Sequence, residues 1–415
     1  MRPFAFLAAI WLSATPAPSV DTPPRCADGW APRAGRPIGV RTIEELERAI
    51  GAARPGDDIL LADGDYALRR MLDVAVPQVT IRGRSGDPLK VSLHGRGMRG
   101  DTVGVAVSVS AVDVTVADMT IRDVGYHAIQ VRGERSASRF TLHNARLLDT
   151  GQQLFKVSVG AARTYADDGL VACSNFSYTT SAPSDYTNGV DLLATKGWTI
   201  RDNRFTRIRG PESGAWVSGP TILVWEASED TLVERNVIVD SFRGIALGLT
   251  RRLEAFARNG EREYDHVRGI VRNNVIVNLN AWADEAIEAN AARDVRIEHN
   301  TVFVTSRNSP WSISARFANA SALVRNNLTN RPILRRDGGR IDEAGNVSSA
   351  QLAWFVDPAR GDLHLSAAGG AAIDAGVLIP DMTDDFDRNP RVAGKAPDAG
   401  AFEWRSGRDG GSRER

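Results

Sequence analysis

Several absences narrow this sequence before any pattern is sought. The chain has no net charge: 51 Lys and Arg are balanced by 51 Asp and Glu. No chain-wide field therefore draws nucleic acid or an anionic membrane, and a polyanionic partner has to be met locally. After the first residues, no uninterrupted apolar run approaches about 20 residues, which leaves no ordinary transmembrane helix. Cys26 and Cys173 are the only cysteines, and no His or Cys cluster has zinc-ligand spacing. A Gly-rich phosphate loop opening a helix and a G-x-S-x-G nucleophile turn are also missing. Lysine is scarce, at positions 90, 156, 196 and 395 only, so arginine is the default cation.

What is present points to an exported globular protein. A hydrophobic share of 42% over 415 residues is enough to bury a large core. The N-terminus "MRPFAFLAAIWLSATPAPSV" has one early Arg, an apolar run from Phe4 to Leu12 and then small residues. That layout is a secretory signal peptide over residues 1–20 and implies a secreted or periplasmic protein. Export would permit a Cys26–Cys173 disulfide, and two buried free thiols fit the sequence equally well.

The dominant pattern is a ragged repeat. An Asn flanked by alternating apolar residues returns at Asn203, Asn236, Asn274, Asn300 and Asn327, and Ser174, Ala145 and Met119 continue the column upstream. The steps run from 26 to 38 residues, and each unit holds three short β-branched strands. Three strands per turn predict a right-handed parallel β-helix of about ten coils, a solenoid in which each coil buries its face on the next. Stacked Asn side chains can then hydrogen-bond as an amide ladder, and Asn tolerates the left-handed backbone of a sharp bend. The column is scaffold, not chemistry.

The ends fit this all-β solenoid. "RTIEELERAIGAARPGDD" predicts a short helix with Thr42 as N-cap, Glu45 in the capping-box position and Ile43, Leu46 and Ile50 on one face, closing the first coil. The expected divisions are an N-terminal segment with that helix (21–56), the coils (57–345), a C-terminal coil and cap (346–404) and a disordered tail (405–415).

The segments "RPGDDILLADGDY" and "VTIRGRSGDPLKVSLHG" resemble the N-terminal coils of the chondroitinase-B-like and alginate-lyase β-helix family. The C-terminal "AIDAG…DFDRNPR…APDAGAFEW" is similar to the closing segment of many secreted pectate-lyase-like proteins. The resemblance implies the β-helix, a Lys base, an Arg acid and a calcium ion that helps neutralise a substrate carboxylate. The family's K-S-x-x-N and R-H-G motifs are not present intact. Lys156 in "LFKVSVG" is the nearest counterpart of the Lys, and Arg243 in "SFRGIALG" stands loosely for the Arg.

Strand alternation predicts which residues face outward from the third strand of each coil. Gln130, Lys156, Asp191, Leu223, Ala246, Glu288 and Ser314 form one external column, and Arg132, Ser158, Leu193, Trp225, Gly248, Asn290 and Arg316 the next. Insertions carrying Tyr165, Tyr186 and Trp216 fall beside the same coils, which places a binding groove there. Lys156 is the one lysine in that column and can titrate where an arginine cannot. The competing reading is an ion pair with Asp191. His127 is a candidate proton carrier, and Tyr186 and Trp225 offer faces for sugar rings.

Paired-carboxylate hydrolysis wants roughly 5 to 9.5 Å between the acids. Asp191 and Glu288 lie three coils, or about 14 Å, apart, while Asp191 with Glu226 on the next coil stays open. The acidic run "DMTDDFD" (381–387) lacks an EF-hand's Gly and Glu, so it reads as a turn, with calcium an open candidate.

The expected function is β-elimination on a uronic-acid polysaccharide. Arg132 or Arg243 would neutralise the carboxylate, Lys156 or His127 would take the proton, and Tyr186 would protonate the leaving oxygen. Gln130, Asp191, Trp225 and Glu226 would hold substrate, with no residue assigned to a metal. A glycoside hydrolase, an epimerase or a non-catalytic carbohydrate-binding or structural β-helix are the alternatives.

Overall fold

The computed structural model describes residues 26, 29–99, 103–160, 163–211, 218–249, 258 and 263–405. The proposed signal segment, Trp216 and all but the first residue of the proposed tail lie outside them. Three long parallel sheets form the walls of a solenoid. The first has 12 strands, from Arg36–Val40 to Arg340–Ala344. The second has 10, from Gly64–Ala67 to Leu328–Thr329, and the third 10, from Leu72–Val74 to Ile333–Arg336.

Register is held by apolar columns that point inward. Ile81, Val116, Leu142, Val171, Ile200, Val233, Val271, Ile297 and Val324 pair in succession along the first sheet. Ile129, Phe155, Val190, Ile222, Ile245, Ile287 and Ile313 do so along the third, and all are essentially buried. A shift of one residue would turn every such side chain to the outside.

The Asn column stacks as expected. Each Oδ1 accepts from both the backbone N and Nδ2 of the Asn one coil earlier, at 2.9–3.1 Å, from Asn203 through Asn236, Asn274, Asn300 and Asn327 to Asn346. Upstream the ladder thins to Ser174, whose Oγ accepts from Ala145 N at 3.0 Å. One detail differs from expectation. The left-handed residue at each bend is the one before the ladder Asn: Asp202, Arg235, Asn273, His299 and Asn326 have φ between 52° and 58°. That preceding residue makes the bend, which leaves the Asn side chain directed along the stack.

Helix Ile43–Gly51 closes the N-terminal coil with Ile43, Leu46 and Ile50 buried. Thr42 Oγ1 accepts from Glu45 N at 3.2 Å. The Glu45 carboxylate reaches one residue past the cap, to Arg41 N at 2.7 Å.

The C-terminal segment covers a wall of the solenoid as well as following its last coil. Trp354, Phe355, Leu363, Leu365 and Phe402 pack with Val239, Val275, Val277, Phe303 and Leu328 of the second sheet as a separate apolar core. The acidic run is an anchor for it: Asp381 holds Arg296, Asp384 faces Arg235, and Asp387 takes His364. Cys26 and Cys173 are joined in a disulfide. No helix among the described residues is long and apolar enough to cross a membrane.

Candidate active site

The predicted external column exists in register. Gln130, Lys156, Asp191, Leu223, Ala246, Glu288 and Ser314 pair one to the next along the third sheet. Most of it is nonetheless buried: Asp191, Ala246 and Ser314 are 0% exposed and Glu288 3%. Side chains from neighbouring rungs and from the Thr179–Asn188 loop lie over the sheet, so its outer face becomes the floor of a groove.

Asp191 is the hub. Its Oδ2 accepts from Lys156 Nζ at 3.0 Å and from Tyr186 OH at 3.4 Å, and its Oδ1 accepts from Trp225 Nε1 at 2.8 Å. Lys156 Nζ also donates to Tyr186 OH at 3.0 Å and stands 4.9 Å from the centre of that ring. The sequence explains the convergence. Lys156 and Asp191 occupy adjacent rungs of one column, Trp225 projects two residues beyond Leu223 on the following rung, and Tyr186 comes from the insertion leading into the Asp191 strand.

Charge sets the protonation states. Burial pulls the Lys156 pKa down, but the Asp191 carboxylate and Tyr186 outweigh it and leave it above the ordinary lysine value. Burial and Asp191 raise the Tyr186 phenol, opposed by the Lys156 cation. Lys156 is therefore a fixed positive charge, and Tyr186 at rest is a neutral phenol, 41% exposed.

His127 is neutral, its pKa lowered to about 4 by burial and by the nearby Lys156 charge despite a bond to Gln153 O. Nδ1 lies 3.2 Å from that carbonyl and is its donor. His127 does not line the cleft.

The cleft beside this cluster holds about 250 Å³ and is lined by Asp185, Tyr186, Asn188, Ser218, Gly219, Pro220, Leu223, Trp225, Arg243 and Leu249. Leu223, Trp225 and Ala246 make an apolar floor. Arg243 lines the same cleft as Tyr186. Its Nε donates to Glu288 Oε1 at 2.9 Å, its Nη2 also reaches that oxygen, and Asp284 lies 3.6 Å away. Asn290 Nδ2 donates to Glu288 Oε2 at 2.7 Å. Below this pair Glu285, held by Arg336 at 2.8 Å, has its pKa raised to about 8 by burial and by Glu288.

The structure divides the other candidates. Arg132 donates to Ser108 Oγ at 2.7 Å and to Glu134 at 3.1 Å, and it lines a separate polar cleft with Asp73, Ala75, Ser110 and Arg135. Gln130 lies on the rung between Ser108 and Lys156. Glu226 does not join Asp191: it turns away at the strand end with φ 57°, its backbone N bound to Asp265, while the preceding Trp225 takes the contact. Tyr165 stacks under Arg258 at 3.5 Å and is not in the cleft.

Asn188 was not anticipated. It is fully buried, donates through Nδ2 to Pro220 O at 2.6 Å, and has no partner at Oδ1. A Cβ on Gly219 would meet that amide at 2.5 Å. The adjacent "TNG" and "SGP" stretches carry no periodicity that marks such a contact.

No family profile matches the chain, and no curated protein matches it in sequence. Solved structures do resemble it. Pectate lyase Pel9A superposes with a TM-score of 0.59 at 14% identity, over 89% of this chain and 96% of that one. The catalytic unit of an alpha-1,3-glucanase from Streptomyces thermodiastaticus gives 0.46 at 14% identity, over 77% and 70%. An alginate lyase from a Paenibacillus species gives 0.40 at 15%, over 75% and 99%. At such identities the likeness speaks to fold alone, and the first of these supplies it: the chain has the right-handed parallel β-helix fold.

Proposed function

We propose that this chain is a secreted polysaccharide lyase that cleaves a uronic-acid glycan by β-elimination. The observation that carries the reading is the Lys156–Tyr186–Asp191 contact at the edge of a cleft of roughly one sugar unit. Tyr186 is the proton carrier. As phenolate it takes the C5 proton, the C4–C5 double bond forms, the bond from C4 to the glycosidic oxygen breaks, and the proton passes from Tyr186 to that oxygen. The residue ends as it began.

Lys156 stays protonated and stabilises the phenolate from 3.0 Å, a fixed charge in a partly desolvated site where it acts strongly. The raised Lys156 pKa argues against Lys156 as the base, and burial argues the same of His127. Trp225 and Leu223 offer an apolar face to the sugar ring, and Arg243, which lines the cleft, is assigned to the C6 oxygens, where negative charge collects. The Cys26–Cys173 disulfide supports export to an oxidising compartment.

Incubation with pectin, polygalacturonate, alginate, chondroitin and dermatan tests the proposal. A lyase releases an unsaturated uronate that absorbs in the ultraviolet. Reducing ends without that absorbance would instead indicate a hydrolase, and binding without product a carbohydrate-binding β-helix.

A further inference from the structure

We infer that the sugar in the cleft is an esterified, uncharged uronate rather than a free one. The inference rests on the lyase reading above and adds the chemical state of the C6 group.

Charge is the first ground. Among the described residues lining the cleft, Arg243 is the one cation. Its guanidinium is already bound to Glu288 and faces Asp284 at 3.6 Å. The neighbouring cation, Lys156, is bound to Asp191. Asp185 is exposed and also lines the cleft. Among these described residues, two cations thus stand with four carboxylates, and a free uronate would add a fifth negative charge to that surplus. Neutralising a free uronate requires a cation with charge to give.

The shape and polarity of the lining point the same way. Apart from Arg243, much of the lining is hydrocarbon from Leu223, Trp225, Leu249 and Pro220, which offers a charged carboxylate few further donors. A methyl ester loses no charge solvation on entering such a wall and gains apolar contact.

The chemistry is consistent with the lining. Removing the C5 proton from a free uronate puts a second negative charge on a group already carrying one. From an ester it creates the first, so a neutralising ion is not required. Arg243 need only donate a hydrogen bond to the ester carbonyl as its oxygen becomes anionic, which its ion pair with Glu288 allows. The ester is untouched: one C–H and one C–O bond break, one C=C and one O–H bond form.

The test compares initial rates of ultraviolet product formation on highly methyl-esterified pectin and on polygalacturonate, and likewise on methyl-esterified and free alginate, with substrate blanks. The expected result is turnover on the ester at least about tenfold above the free acid. Asp185→Asn, on the exposed rim, and Glu288→Gln should each shift the ratio toward the free acid by roughly three- to tenfold. Equal or faster turnover of the free acid overturns the inference and leaves the lyase reading standing. Ratios unmoved in a folded Asp185→Asn protein overturn it too. No absorbance on any substrate removes the lyase reading itself, and the inference with it.

Discussion

The ammonium of Lys156 and the phenolic oxygen of Tyr186 stand 3.0 Å apart, although 30 residues separate them in the chain. One is fixed to the rung of a sheet and the other hangs from an insertion, and Asp191 ties both down. Lys156 donates to the oxygen whose proton is to move. This geometry separates charge from proton transfer, and substitutions can tell the two apart.

Tyr186→Phe keeps the ring and deletes the hydroxyl. Turnover should fall by about 10² to 10⁴ with KM within roughly threefold, the pattern of a group acting in the transition state. Lys156→Arg keeps the charge and should retain turnover within about tenfold, whereas Lys156→Met should lose on the order of 10² or more. If Arg is as inactive as Met, the lysine itself moves the proton and the assignment to Tyr186 is wrong.

The amide ladder gives a stability prediction. Asn274 makes Nδ2 bonds to Val233 O, Arg272 O and Asn300 Oδ1, and its Oδ1 receives two from Asn236. Asn274→Ala strands buried partners on both neighbouring coils and should cost on the order of 3 to 5 kcal/mol. Asn346→Ala, at the half-buried end of the stack, should cost about 1 kcal/mol. Equal losses in chemical denaturation would mean that the ladder does not act as a continuous stack.

Much of this fold was legible because repetition turns a weak local signal into a strong one. The Asn and Ile columns recur on successive coils, so register could be read from Asn203 to Asn327 without a structure, and Lys156 was placed beside Asp191 by counting alone. What repetition does not cover was not legible. Tyr186 and Asn188 sit in an aperiodic insertion: the sequence marks Tyr186 as a candidate without its contact to Lys156, and it gives no sign of Asn188. Coil counting puts Glu288 far from Asp191 because its link to the cleft runs through Arg243, and the C-terminal segment reads as a coil and cap because nothing local says that Trp354 and Phe402 seek Val275 and Leu328. Alternation gave the direction of Asp191 correctly but not its burial, which depends on what lies above it.

A pH-linked anchor holds that C-terminal segment. His364 Nδ1 lies 2.5 Å from Asp362 and Nε2 3.0 Å from Asp387, over the Phe402 ring at 3.8 Å. Burial would lower its pKa, but the two carboxylates win and raise it to about 9. A folded pKa above the unfolded value of about 6.5 stabilises the fold fully below that value and loses the contribution as pH rises through about 9. His364→Gln should therefore cost on the order of 2 to 3 kcal/mol at pH 6, and much less at pH 10. A pH-independent difference in Tm between the variant and the parent chain would refute this linkage.

The pH dependence of turnover follows from the Lys156–Tyr186 pair. Tyr186 must lose its proton to become the base, and burial and Asp191 hold its pKa above the ordinary phenol value. Over the working range only a small fraction is phenolate, so kcat/KM should climb about tenfold per pH unit from pH 7 to beyond 9, with no plateau near neutrality. Lys156 remains protonated across that range because its own pKa is also raised, and its charge is what keeps the phenolate accessible. Lys156→Arg should leave the slope and position of the rise nearly unchanged, while Lys156→Met should move the whole rise to higher pH. If His127 were the base, with its pKa near 4, the rate would instead be flat above about pH 6. Profiles measured on parent and variants, each corrected for non-enzymatic elimination, separate these outcomes, and a flat parent profile would remove Tyr186 as the base.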